Sequence, residues 1–144
     1  MTDKLQVVLY LNQFFAGVGG EDVNDVPVDR VNGAVGAGRA LTSILGKKGD
    51  VIATIYAGDN RFVEDEEESV EAVRSALVHL SPDLIIAGPA FDAGRYGLAC
   101  GLICRIANEL NIPSVTGMHP ENPGVLVDPR NAYIVPTGDN PTEM

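Results

Sequence analysis

The sequence predicts an α/β fold: a three-layer, doubly wound domain around a mainly parallel sheet of about five strands, of the flavodoxin-like or Rossmann-like kind. Three observations predict it. Strand-like and helix-like segments alternate along the chain. The strand-like runs are almost continuously apolar, which is typical of strands buried on both faces. The 144 residues suit one ordinary domain and contain neither an internal repeat nor a linker, so we expect a single domain over residues 1–144.

Each predicted strand is a short apolar run that ends in turn-forming residues. The five predicted strands are 6–11, 51–57, 83–87, 114–116 and 132–135. Short connections precede the second, third and fourth strands, whereas the segments that leave the strands are longer and rich in glycine. This asymmetry predicts that the functional loops lie at the carboxyl edge of the sheet.

Helical periodicity separates the strands. The three predicted helices span residues 34–45, 64–80 and 95–110. In the second helix Val70, Val73, Leu77 and Leu80 recur at helical spacing and form one apolar face. The segment 12–32 is longer than a structural connection requires, so we expect a functional or mobile loop there.

The charge balance excludes one class of partner. Ten basic and twenty acidic residues give a net charge of −10, which argues against nucleic-acid binding. Much of the excess lies in the acidic run 64–68, which is either the first turn of a helix or a docking surface. No apolar run approaches the roughly 20 residues of a membrane span, and no signal-peptide pattern opens the chain. We expect a cytoplasmic protein with no membrane partner.

The two cysteines, Cys100 and Cys104, lie four residues apart in an apolar helical stretch and therefore share a helix face. The sequence has no CxxC motif and no Cys/His pair that would complete a zinc site, so no metal site is expected. Buried, inert thiols are the favoured interpretation, and a catalytic or metal role is the alternative.

The candidate site consists of residues that follow the predicted strands. Because the carboxyl ends of parallel strands share one edge, four separate loops should converge there. The candidate substrate-binding residues are Asn12, Gln13, Asp59, Asn60, Arg95, Tyr96 and Asn122; the candidate catalytic residues are His119 and Glu121; the loop glycines are Gly17, Gly19 and Gly20.

Arg95 stands at the expected start of a helix, where free N–H groups and the helix dipole already favour an anion. It is therefore a candidate ligand for a substrate carboxylate or phosphate, and the alternative is a salt bridge to Asp92 or another acid. Tyr96 either orients the same ligand or packs in the core. Glu121 is a candidate general base or amine ligand, against hydrogen bonding that holds its loop. His119 is the only histidine near the proposed site.

Glycines are frequent in two segments. Gly17, Gly19 and Gly20 form either a flexible lid or an ordinary loop with positive φ angles. The glycines between residues 33 and 38 match neither the dinucleotide fingerprint nor the P-loop, so a turn and close helix packing are favoured there.

Four ordered blocks are recognisable: residues 12–20 (NQFFAGVGG), 58–60 (GDN), 87–97 (AGPAFDAGRYG) and 116–124 (TGMHPENPG). Together they resemble the selenoprotein B component of the glycine, sarcosine, betaine and proline reductases. The resemblance covers nearly the whole chain and corresponds to the first third of such a component. The four blocks coincide with the candidate loops at the carboxyl edge.

The resemblance implies an oxidoreductase subunit that takes part in reductive C–N cleavage, or related thiol-dependent chemistry, on a small amino-acid-like substrate. In that chemistry a selenol or thiol attacks the substrate α-carbon, because a low-pKa chalcogen is both a strong nucleophile and a good leaving group. The family's selenocysteine-and-cysteine motif is not in this chain. We therefore expect no cofactor here, and a selenocysteine or cysteine pair on a partner chain.

The implied arrangement is a split enzyme in a hetero-oligomeric complex. This chain would supply the substrate-binding half, a second chain would carry the remainder of the family's fold, and a thiol or selenol carrier protein would be a further partner. One alternative is a non-catalytic, flavodoxin-like assembly subunit that docks redox partners through its acidic surface. Another is an isomerase-like or racemase-like enzyme that needs no added thiol, because fold does not fix function.

Overall fold

The computed structural model describes residues 4–127 and 132–138. Within them the strands are β1 (Leu5–Asn12), β2 (Asp29–Asn32), β3 (Gly49–Ala57), β4 (Leu84–Phe91), β5 (Ser114–Met118) and β6 (Ala132–Pro136). The helices are α1 (Gly38–Leu45), α2 (Asp59–Glu64), α3 (Glu66–Leu80) and α4 (Gly94–Glu109). The strands form one sheet in the order β2-β3-β1-β4-β5-β6. Every neighbouring pair is parallel except β2 with β3, so the predicted fold class is confirmed.

Helices pack on both faces of the sheet. Along β1, Val8 and Tyr10 point to one face and join the core cluster formed with α2, α3 and α4. Leu9 and Leu11 point to the other face, where Leu41 of α1 packs against them. The alternation of side chains along a strand thus assigns β1 to both halves of the core, and every position from residue 7 to residue 12 is buried.

The chain reverses its direction across the sheet between β1 and β4. The connection from β1 to β3, which contains α1, runs to one side, whereas the connection from β3 through α3 to β4 runs to the other. In doubly wound folds the crevice at such a reversal, outside the carboxyl ends of the strands, is where ligands bind. The topology therefore points to the ends of β1 and β4.

The structure contains the five predicted strands and, within the described residues, one strand that the sequence did not predict. β2 lies inside the 12–32 segment that was expected to be a loop, so that expectation was wrong for residues 29–32. Its sequence, DRVN, shows no apolar alternation, and three of its four residues are exposed. It pairs antiparallel with β3 through backbone groups, which a side-chain pattern does not reveal.

Two helices begin at residues other than those predicted. α1 begins at Gly38 rather than residue 34, because Gly36 adopts a positive φ of 53° where the chain turns close to the Phe15 carbonyl. The predicted helix 64–80 is interrupted at Asp65, whose φ of −112° and ψ of 52° are not helical. The residues expected to close strand 51–57 as a loop instead open the short helix α2.

Among the described residues, no helix has the length and apolar character needed to cross a bilayer.

Candidate functional site

A hollow of about 340 Å³ lies at the carboxyl edge of the sheet, where α2 and α4 begin. It is lined by Asn24, Asp59, Asn60 and residues 93–96. Four of the predicted site residues, Asp59, Asn60, Arg95 and Tyr96, are thus brought together. They come from segments that follow β3 and β4, as the edge argument predicts.

The first turn of α4 supplies positive charge to this hollow. The cap residue Ala93 offers no side-chain hydrogen bond to the helix, and the Gly97 N–H donates to the Ala93 carbonyl at 2.8 Å. The N–H groups at the start of a helix have no intrahelical acceptor and carry partial positive charge. Arg95 is exposed and forms no ion pair with any described residue, so the salt bridge considered as an alternative is absent from this part of the chain.

Asp59 supplies the opposite charge, and two buried amides hold it. The Asn12 side-chain Nδ2 donates to Asp59 Oδ2 at 3.0 Å, and Asn12 Oδ1 accepts from the Phe15 N–H at 2.9 Å. The Asp59 N–H donates to Gln13 Oε1 at 3.2 Å. Asn12 and Gln13 do not line the hollow; they hold the carboxylate and the backbone N–H, respectively, of Asp59, which does. Their predicted contact with substrate stays a prediction, and their observed contacts are with Asp59 and the loop after β1.

Asn24 is a member of the site that the sequence did not reveal. Its carbonyl accepts the N–H groups of Asn60 at 3.0 Å and Arg61 at 3.2 Å, and so anchors the start of α2. Gly58 permits this approach, because a Cβ there would overlap the Asn24 carbonyl. No periodic pattern distinguishes Asn24 within the polar 12–32 segment. The one sequence signal was the unusual length of that segment, which predicted a functional or mobile loop.

Tyr96 lies at the base of the hollow and packs in the core. It is 1% exposed, and its ring centroid is 6.1 Å from that of Tyr10 and 6.0 Å from that of Phe15. Burial raises the pKa of the Tyr96 and Tyr10 hydroxyls well above their usual value, and the nearby Cys100 thiol and Asp59 carboxyl add to the rise. Both phenols are therefore neutral at physiological pH.

The two cysteines are buried, as predicted. Burial raises the pKa of the Cys100 thiol well above its usual value, against a smaller lowering by a hydrogen bond with Thr116. Burial raises the pKa of Cys104 to about 11, against a smaller lowering by Ser114. Because the thiolate is the nucleophilic form, these protonated, enclosed thiols are poor nucleophiles at neutral pH.

The loop after β5 reaches the start of α4 but does not line the hollow. The His119 N–H donates to the Phe91 carbonyl at 2.7 Å, and His119 Nδ1 accepts the Glu121 N–H at 3.0 Å. A neutral His119 with this bond carries its proton on Nε2. Glu121 is exposed. The structure does not bring these two side chains into the hollow with Arg95, and their catalytic role stays a prediction.

Asn122 is committed to the backbone. Its Nδ2 donates to the carbonyls of Phe91 and Ala93 at 3.0 and 3.1 Å, and its Oδ1 accepts the Gly124 N–H at 2.9 Å. The side chain is 1% exposed. These bonds tie the loop after β5 to the start of α4, the loop-holding role that the sequence analysis weighed for the neighbouring Glu121. We therefore do not include Asn122 among the proposed ligand contacts.

The glycine-rich loop after β1 is fastened at several points. The N–H groups of Val18 and Gly19 donate to the Gln13 carbonyl at 2.9 and 3.3 Å. Of Gly17, Gly19 and Gly20, only Gly17 has a positive φ, at 80°. Motion of this loop as a lid stays a prediction.

No group of three His, Cys, Asp or Glu side chains within the described ranges is arranged to hold a metal ion.

The acidic run is exposed at the junction of α2 and α3. Glu66, Glu67 and Glu68 occupy the first turn of α3, which is where acids complement the helix dipole. Asp65 pairs with Arg61 at 2.6 Å. The run therefore fits the structural interpretation from the sequence, and the docking interpretation stays a prediction.

Fold and site together define a class of protein: a doubly wound, flavodoxin-like domain with a charged hollow at the carboxyl edge of its sheet. Comparison with known proteins adds the family. The family model described as "Glycine/sarcosine/betaine reductase selenoprotein B (GRDB)" matches residues 4–144. The chain belongs to this family, as the resemblance predicted.

Three relatives illustrate the similarity. The chain is 47% identical over 141 residues to "Glycine reductase complex component B subunit gamma" of Symbiobacterium thermophilum, covering 97% of this chain and 33% of the relative. It is 44% identical over 142 residues to "Sarcosine reductase complex component B subunit beta" of Peptoclostridium acidaminophilum, covering 98% and 33%. It is 44% identical over 140 residues to "Betaine reductase complex component B subunit beta" of the same organism, covering 96% and 32%.

The chain thus spans about a third of the length of the curated relatives it matches. No solved structure matches it significantly.

Proposed function

We propose that this chain is the substrate-binding part of a reductase-complex B component and binds a small zwitterionic amino acid or its N-methylated relative. Three relatives are named as components of glycine, sarcosine and betaine reductase complexes. Their names share one substrate chemistry: a carboxylate one carbon away from a positively charged nitrogen. A site for such a molecule needs a positive and a negative pole at short range.

The single observation that supports this proposal is that the hollow has both poles. Arg95 and the first turn of α4 line one part, and Asp59 lines another. A carboxylate near Arg95 gains charge-assisted hydrogen bonds and the favourable helix dipole. The cationic nitrogen faces Asp59, whose carboxylate is held by Asn12 and whose backbone N–H is held by Gln13. Asn24 and Asn60 complete the polar lining.

The nucleophile comes from outside this chain in the proposed reaction. Cys100 and Cys104 are buried, and the high pKa of each thiol keeps it protonated. A selenolate or thiolate of a partner polypeptide attacks the α-carbon; the C–N bond breaks, and its electron pair leaves with the nitrogen, which then takes a proton. We propose that the attacking group belongs to a carrier protein, which holds the carbon fragment as a chalcogen–carbon adduct. A second thiolate of the partner side then attacks the chalcogen: a sulfur–chalcogen bond forms, the chalcogen–carbon bond breaks, and its electron pair leaves with the carbon fragment, which takes a proton. The two partner groups are oxidised and the carbon fragment is reduced.

Ligand titration tests this proposal. Glycine, sarcosine and betaine are titrated into the chain, alone and in the complex with which it purifies, and binding is followed by NMR or calorimetry. We expect Arg95→Ala to weaken binding of all three about ten- to hundredfold, because a charge-assisted hydrogen bond is lost. Asp59→Asn should weaken binding as well, since it removes the charge that faces the nitrogen. Arg39→Ala, an exposed arginine of α1, is the matched control.

The outcome also separates the proposal from the assembly alternative. Loss of reductase activity by Arg95→Ala, with the complex intact, supports a substrate-binding role. Loss of the complex with unchanged binding of the amino acids supports an assembly subunit. Equal affinity in wild type and Arg95→Ala contradicts the proposed site.

A further inference from the structure

An apolar row crosses the sheet on the face that carries α1. Leu9 of β1 is paired in register with Ile86 of β4, Ile86 with Val115 of β5, and Val115 with Tyr133 of β6. Residues paired in register project from the same face. Leu9 is 2% exposed beneath α1, whereas Tyr133 is 68% exposed. The row therefore begins in the core and ends in solvent.

A groove of about 400 Å³ lies where this row emerges beside α1. Its walls are apolar and include Leu11, Pro89 and Phe91 on the sheet side. On the helix side Ala40, Leu41 and Ile44 line it, and Ile44 is 78% exposed. Their spacing is that of one helix face, and small residues there allow a second helix to approach closely.

The topology explains why this half of the face is open. α1 covers β1 and β3, while α3 and α4 pack on the opposite face. Within residues 4–127 and 132–138, no helix covers β4, β5 and β6 on the face of α1. In a right-handed connection between parallel strands, the direction in which the chain crosses the sheet decides which face the helix covers. The helix lies on the α1 face only when the chain runs in the direction taken from β1 to β3. A helix that returned from the β6 edge toward α1 would satisfy this rule.

We propose that this groove is the docking site for an apolar helix from the part of the family polypeptide that this chain does not match. The relatives are about three times as long as the matched region, and in each of them that region belongs to the same polypeptide as the remainder. In these relatives the unmatched part is therefore covalently linked to the matched region and available at a high local concentration. The identity of the partner rests on the proposed function, whereas the position of the groove does not.

Association of two purified polypeptides tests the docking site. The probe is the portion of the Symbiobacterium thermophilum relative that this chain does not match, and the affinity is measured by calorimetry and sedimentation. We expect Ile44→Glu to weaken association at least about tenfold, because it places a charge in an apolar contact. The matched control is Val78→Glu, a valine of α3 that is 60% exposed on the opposite side of the sheet, and it should leave the affinity within about twofold.

Hydrogen exchange of the wild-type complex gives a second reading that needs no variant. Protection should rise in residues 38–45 and 132–136 on adding the probe and should not change in residues 66–80. Unchanged affinity in Ile44→Glu, protection confined to α3, or absence of association would each overturn the proposal. Wild-type homodimers that Ile44→Glu disperses and the probe leaves intact would assign the groove to a second copy of this chain.

Amino-acid binding is recorded in the same samples. Association through the groove without glycine binding overturns the proposed function alone. Glycine binding that depends on Arg95, without association through the groove, overturns the docking site alone.

Discussion

At the scale of single residues, Gly97 and Asn122 form a close packing contact beside the candidate site. The Asn122 side chain bridges the backbone of the loop after β5 and the end of β4, and Gly97 of α4 lies directly against it. A Cβ at residue 97 would overlap the Asn122 amide. The glycine is thus required by contact with a buried polar side chain, and not by an unusual φ angle.

We expect Gly97→Ala to destabilise the protein by about 1–3 kcal/mol, because the alanine displaces Asn122 and leaves buried polar groups unpaired. This sign is opposite to the gain of about 0.5–1 kcal/mol that alanine normally gives over glycine inside a helix. Urea denaturation followed by circular dichroism measures both variants. The control is Gly94→Ala in the first turn of the same helix, where a Cβ meets only Pro123 at 3.8 Å. If Gly97→Ala were as stable as wild type, the close packing contact would be refuted.

Some residue roles depend on the local sequence and could be predicted, whereas others depend on contacts with residues far away in the sequence. Arg95 and Asp59 could be found from the sequence, because each follows an apolar strand and both lie in loops of the carboxyl edge. The observed contacts of Asn12 and Asn122 could not, because their partners lie 47 and up to 31 residues away in sequence. Asn24 acts here through its backbone carbonyl, and a backbone contact cannot be predicted from the residue type.

At the scale of elements, the contact between the end of β3 and residues 24–26 shapes the hollow. The Gly58 N–H donates to the Val26 carbonyl at 2.8 Å, and a Cβ on Gly58 would overlap the backbone of Asn24 and Val26. The same segment holds the start of α2, where Asp59 and Asn60 lie. Close backbone packing at one glycine therefore sets the distance between two walls of the site.

We expect Gly58→Ala to cost about 1–3 kcal/mol of stability, because the added methyl group overpacks this contact. It should also weaken glycine binding, since α2 must shift. Thermal unfolding and the ligand titration measure the two effects. Gly20→Ala is the control for stability, because its Cβ meets only Asp22 at 3.7 Å and its φ is not positive, so we expect a change within about 0.5 kcal/mol. Equal stability of the two variants would contradict the argument.

Elements that bury apolar side chains were predictable, and those held by backbone contacts were not. Apolar runs predict β1 and β3, and helical periodicity predicts α4. β2 is polar and mostly exposed, and its pairing depends on the edge that β3 presents. The interruption at Asp65 lies in an acidic run whose residue types predict a continuous helix. It was not predictable, because helix propensity contains no information on the angle at which α2 and α3 meet.

At the scale of the whole molecule, the core contains a group of buried acids that resist ionisation. Burial raises the pKa of Tyr10, Tyr96 and Cys100 well above their usual values, and raises that of Cys104 to about 11. All four shifts have the same sign. An acid with a raised pKa in the folded state contributes its full stability below its unfolded pKa and loses that contribution as the pH rises through the folded pKa.

This linkage predicts that the free energy of unfolding falls between about pH 9 and 11. For Cys104 the unfolded thiol releases its proton near its ordinary pKa of 9.0, whereas the folded thiol keeps it until about pH 11. Each such group contributes a slope of up to about 1.4 kcal/mol per pH unit inside its window. Guanidinium unfolding at a series of pH values measures the slope. Cys104→Ala should make it shallower, while Ile103→Val, a buried neighbour with no titrating group, should lower stability by a similar amount at every pH. If the Cys104→Ala and wild-type curves ran parallel up to pH 11, the thiol would titrate alike in both states, and its enclosure by the core would be disproved.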